Sequence, residues 1–97
     1  MILVRGVFQA RYGKADEVVA LFKEAREEWG TDYAGRILTD ASGPFFQVVV
    51  ETEVENLAEW ERRSDEIFSQ REFGNWFDRM TNLVESGRRE FYNIEAQ

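Results

Sequence analysis

Phe45-Phe46-Gln47-Val48-Val49-Val50-Glu51-Thr52-Glu53 is the densest run of aromatic and β-branched residues in the chain. Such side chains suit the pleated, half-buried surface of a β-strand. The turn cluster Asp40-Ala41-Ser42-Gly43-Pro44 stands just before it, with Pro44 where it removes no ladder donor. Residues 33–40 then read as the preceding strand of a hairpin. Further towards the N-terminus, Val18, Leu21, Phe22, Ala25 and Trp29 recur at three- and four-residue steps, which predicts a helix over 14–29. Asp16 and Glu17 sit in its first turn, where the helix dipole favours anions, and Gly30 is placed to cap its end. Residues 2–10 alternate as a strand, with Ile2, Val4, Phe8 and Ala10 on one face and Leu3, Arg5, Val7, Gln9 and Arg11 on the other.

On the C-terminal side, Asn56 followed by Glu59 has the pattern of a helix start. Leu57, Trp60, Ser64, Ile67 and Phe68 form the expected inner face. Ser69-Gln70-Arg71-Glu72 repeats the capping signal, which predicts a kink or break at Ser69 and then a third helix with Phe73, Trp76, Phe77, Met80, Leu83 and Val84 turned inward. Gly87 is read as its stop, and residues 88–95 as the last strand. The order is β-α-β-β-α-β with a broken second helix. It predicts one α+β domain over residues 1–97, ferredoxin-like, with a four-stranded antiparallel sheet.

The composition excludes several chemistries. There is no Cys, hence no disulfide, thiolate nucleophile or Cys-ligated metal, and no His, the commonest metal ligand and the usual general base near neutrality. No metal and no cofactor are expected. A net charge of −7 repels phosphate backbones, so no nucleic-acid partner is expected. No apolar run approaches the roughly 20 residues of a membrane span, and Arg5 and Gly6 interrupt the apolar start. The expectation is a cytoplasmic protein without a signal peptide or membrane segment. The acidic residues Glu24, Glu27, Glu28 and Asp32 read as a solvated surface. Arg88 and Arg89 read as neutralising Glu85 or Glu90.

The sheet is where function is sought. If Phe46, Val48, Val50 and Thr52 face the helices, then Phe45, Gln47, Val49, Glu51 and Glu53 share the outer face with Leu3, Arg5, Val7 and Gln9. For the second strand either Arg36 or Ile37 points outward; for the last, either Arg89, Phe91 and Asn93 or Glu90, Tyr92 and Ile94. Leu3, Val7, Phe45 and Val49 are apolar on a face no helix covers, which predicts a homodimer through the sheets. Arg5, Gln9, Gln47 and Glu51 lie among them as candidate ligand-binding residues for a small hydrophobic molecule with an anionic or carbonyl group. A structural ion pair between Arg5 and Glu51 is the competing reading. No catalytic residue is singled out.

The segments Val4-Arg5-Gly6-Val7-Phe8-Gln9-Ala10-Arg11-Tyr12-Gly13-Lys14, continuing into 18–22, and Leu83-Val84-Glu85-Ser86-Gly87-Arg88-Arg89-Glu90-Phe91-Tyr92, with Trp76-Phe77 before the latter, resemble the dimeric α/β-barrel superfamily and within it the NIPSNAP-like proteins. The resemblance implies a dimeric barrel of ferredoxin-like subunits. It also implies an alternative function, a cofactor-independent monooxygenase or isomerase of the antibiotic-biosynthesis monooxygenase type, for which Trp76 and Asn75 are the matching residues, with Glu51 as the proton carrier of an isomerase. Haem-degrading members resemble an Asn, Trp and His arrangement; this chain has Trp76 and Asn93 but no His.

Overall fold

The computed structural model describes all residues, Met1–Gln97. Strand β1 spans Ile2–Ala10, helix α1 Ala15–Trp29, β2 Arg36–Thr39, β3 Gln47–Val54, α2 Leu57–Phe68, α3 Arg71–Thr81 and β4 Val84–Asn93. The strands form one antiparallel sheet in the order β2-β3-β1-β4. The helices lie on one face, as in the ferredoxin-like plan. Val18, Leu21, Phe22 and Ala25 of α1 and Trp76 and Met80 of α3 pack with Ala10, Val48 and Val50 of the sheet. With α1 and α3 packed on one face, the other face of the sheet has no helix over it.

The long strand run is shorter at its start than its composition suggests. Phe45 and Phe46 belong to the turn, and Phe46 has φ +61°. A bulky residue in that region is a strained exception. It is held there because its carbonyl accepts the Ala10 N–H at 2.9 Å and its ring packs edge-on to Tyr12, 4.7 Å between centroids. Phe45 is exposed beside the sheet rather than part of its outer row. β2 keeps only four residues of the expected 33–40, because Tyr33 and Ala34 are drawn into turn bonds to the Gly30 carbonyl.

The largest departure is at the end of α3. Leu83 and Val84 continue the helical spacing from Met80, yet the helix stops at Thr81 and β4 begins at Val84. The Arg11 N–H donates to the Leu83 carbonyl at 2.8 Å, so pairing with β1 captures the chain there. Gly87, read as a helix stop, lies inside β4 opposite Phe8. The register also settles the open phases. Arg36 shares a face with Glu51, while Ile37 packs on the core, and Glu90 and Tyr92 point outward while Arg89 and Phe91 face the helices.

Helix α2 starts where its cap predicts, the Glu59 N–H donating to Asn56 Oδ1 at 2.8 Å. Leu57 is exposed instead of inward. Leu57 stands in the first turn of α2, and Ser64 is the buried residue of that helix. The residue capping α3 is Gln70, not Ser69, and its side chain makes no cap bond. Instead Gln70 Oε1 accepts the Trp29 indole N–H at 3.0 Å, tying the joint between α2 and α3 to the end of α1. Asn56→Ala removes the only side-chain N-cap bond among the three helices. It is expected to lower stability by about 1 kcal/mol, read as a lower urea midpoint at unchanged slope. Glu24 does not join an acidic cluster, since Arg79 holds its carboxylate at 2.7 Å and keeps its pKa below the usual value.

Candidate functional site

Gly6 and Gly87 determine the floor of a cleft on the helix side of the sheet. The Phe8 ring lies flat across both. A Cβ at Gly6 would come within 2.9 Å of that ring, and one at Gly87 within 3.0 Å. Glycine within a strand often marks such a close approach. With Phe8 pressed down, a space of about 530 Å³ opens between the sheet and α3. Phe73, Trp76, Phe77 and Met80 of α3 form one wall; Phe8, Gly87 and Arg89 of the sheet form the other. Phe77 is thus half in solvent at the mouth instead of fully inward. The volume falls in the range typical of small-molecule sites.

The wall is built from stacked aromatics. Trp76 lies edge-on to Phe22, Trp29 and Tyr33 at centroid distances of 5.4, 6.1 and 5.9 Å. Its indole N–H donates to the Leu21 carbonyl at 2.7 Å, which fixes the ring across α1. Edge-to-face packing of this kind holds rings in one orientation.

At one end the cleft turns polar. Gly6, Phe8, Tyr33, Phe68 and Arg89 also border a second, smaller space of about 70 Å³, which adds Asp32, Thr52, Arg63 and Ser64. Asp32 is held by Arg63 at 3.1 Å. Arg89 instead rests its guanidinium over the Trp60 ring, 4.8 Å from the centroid. Phe91, 5.1 Å from Trp60, supports that ring from the same strand. A cation on an aromatic face keeps its in-plane N–H donors free. Burial pushes the Tyr33 hydroxyl well above its ordinary pKa, against the opposing pull of Arg89. It therefore stays protonated and able to donate. Arg88 pairs with Glu90 at 2.9 Å, as expected, but Arg89 neutralises neither carboxylate named for it.

Arg5, Gln9, Gln47 and Glu51 lie together on the opposite, outer face of the sheet, in two pairs. Arg5 stands across from Glu51, and Gln9 across from Gln47, with Val7 and Val49 between the pairs. The Arg5 Nε is 3.9 Å from Glu51 Oε2. Gln9 Nε2 donates to the Phe45 carbonyl at 2.6 Å. The residues not anticipated are Gly6, Tyr33, Gly87 and Arg89. The one local signal for them was a glycine inside each of two alternating stretches; the rest depends on β4 lying beside β1.

No protein-family model matches the chain, and neither does any curated protein. Solved structures do match in shape. An uncharacterized NIPSNAP domain protein from Burkholderia xenovorans superposes with a TM-score of 0.84 at 16% identity, over 96% of this chain and 93% of that one. A NIPSNAP family protein from Agrobacterium tumefaciens gives 0.80 at 19% identity, over 95% and 90%. A protein from Nitrosomonas europaea, named as a candidate antibiotic biosynthesis monooxygenase, gives 0.73 at 12% identity, over 96% and 97%. The chain thus has the ferredoxin-like subunit fold of the NIPSNAP proteins, shared with proteins named as monooxygenases.

Proposed function

We propose that two copies of this chain pair through their uncovered sheet faces. Each copy binds a small, mostly apolar molecule bearing an anionic or carbonyl group in the cleft between the sheet and α3. The observation that carries the ligand reading is the aromatic cleft of about 530 Å³ ending at Arg89 and Tyr33. Apolar walls bury the body of such a molecule, and a free guanidinium and a protonated phenol are donors for its head. The quartet Arg5, Gln9, Gln47 and Glu51 takes a place between the sheets in this arrangement, where a ligand enclosed by two copies would meet it.

A thermal-shift series with aromatic and aliphatic carboxylic acids separates these positions. Stabilisation of the wild type is expected to be lost in Arg89→Ala, with affinity down about tenfold or more, and kept in Arg5→Ala. Equal stabilisation of all three proteins would show that neither arginine anchors the ligand. Loss in Arg5→Ala alone would move the ligand to the space between the sheets.

A cofactor-independent oxygenase or isomerase acting in the same cleft is the second reading. Trp76 lines the cleft, which favours it. Its indole N–H is already committed to the Leu21 carbonyl, which is why binding stands first.

A further inference from the structure

One row of residues crosses all four strands on the outer face with alternating charge: Arg36, Glu51, Arg5, Glu90. Within the chain the row is only partly satisfied. Arg36 donates to Glu51 from Nε at 3.1 Å and also from Nη2. Glu90 receives Arg88. Arg5 stands between the two carboxylates with its Nε 3.9 Å from each, and that buried Nε has no acceptor within hydrogen-bonding distance. The Arg5 side chain as a whole remains 40% exposed on this face. The flanking rows are mostly apolar, Leu38, Val49 and Val7 ending at Arg88 on one side and Leu3 and Tyr92 ending at Glu53 on the other.

Such a row has a symmetry property. Read in one direction it is plus, minus, plus, minus; reversed, it is minus, plus, minus, plus. A two-fold axis along the strands, between β3 and β1, reverses the row. Arg36 then faces the partner's Glu90, and Arg5 faces the partner's Glu51. An axis running along the row, across the strands, keeps the order and sets like charges opposite one another. In an isologous contact every such match or mismatch occurs twice.

We propose that this row selects a second copy of the chain and fixes its orientation, with the exposed part of the Arg5 side chain set against the partner's Glu51. The inference rests on the dimer reading above. The apolar residues at the centre of the flanking rows, Val49, Val7 and Leu3, would lower the local polarity in such a contact and sharpen the penalty for opposed like charges.

The test mixes two charge-reversal variants, Arg5→Glu and Glu51→Arg, and weighs the species by native mass spectrometry. Each variant alone opposes like charges across the two-fold and is expected to associate about tenfold or more weakly than wild type. Mixed, they restore both cross-subunit contacts and are expected to form heterodimer well above the half given by random pairing. Repulsion inside each subunit is the same in the mixture as in the single variants, so it produces no such excess. Should these central reversals disturb folding, Arg36→Glu with Glu90→Arg repeats the test on side chains that are 72% and 26% exposed. Wild type found only as monomer would overturn the dimer reading itself. A dimeric wild type with random pairing of folded variants would overturn the role of the row and leave the dimer standing.

Discussion

Val49→Asp is expected to convert the protein to monomers of 11.4 kDa in sedimentation equilibrium at micromolar concentration. Val49 lies at the centre of the outer face, across from Val7 on β1 and Leu38 on β2, and is 7% exposed. A carboxylate there has no room to turn to water once a second sheet covers it. An unpaired charge in such a place costs about 3–5 kcal/mol, enough to abolish association of ordinary strength. Val49 is well covered within its own subunit, so the substitution also weakens the fold. Leu38→Asp separates the two effects. Leu38 is 38% exposed on the same face and is expected to give a folded monomer with an unchanged far-ultraviolet spectrum. Either variant retaining the wild-type mass of a dimer would show that this face is not where copies meet.

Trp76→Ala is expected to cost about 3–5 kcal/mol of folding stability, a large part of the roughly 5–15 kcal/mol that domains possess. Trp76 is 7% exposed and touches the aromatic side chains of α1, α3 and the turn after α1 at once. Its removal leaves a space that Phe22, Trp29 and Tyr33 are too rigidly stacked to fill. Trp76→Phe keeps much of the packing and loses the bond to the Leu21 carbonyl, which is worth about 1 kcal/mol. Urea titrations followed by circular dichroism place the two variants. Equal and small losses would mean that the ring is peripheral to the core. The same pair bears on the cleft, because enlarging its wall changes the fit of any apolar ligand while Arg89 and Tyr33 stay in place.

Local chemistry made several features legible. The run of valines could only be strand, the stripe from Val18 to Trp29 could only be helix, and Asn56 capped α2 as its spacing predicts. The outer-face quartet was legible for a similar reason. Alternation groups the residues that share a face, and antiparallel order brings β1 beside β3, but which group meets the helices was a choice of phase that the register settled. The beginning of β4 was not legible. Leu83 and Val84 satisfy the helical period as well as the strand period, and the weak strand preference of Thr81 and Val84 does not by itself override that period. The ladder to β1 decided the matter, because it offers hydrogen bonds to every second residue of β4 while the alternative leaves the edge of β1 unpaired.

The sequence by itself determined the element order, the alternation along β1 and β3, and the absence of thiol and imidazole chemistry. Each of these depends on composition or on neighbours a few residues apart. Only the tertiary structure decided the cleft and the charged row. Phe8, Tyr33, Trp76 and Arg89 are far apart along the chain and meet because β4 pairs with β1 under α3. The order Arg36, Glu51, Arg5, Glu90 likewise exists only across the strands, since it depends on the register of three pairings at once. A register is a relation between segments, and a one-residue slip in any of the three pairings would send part of that row to the other face.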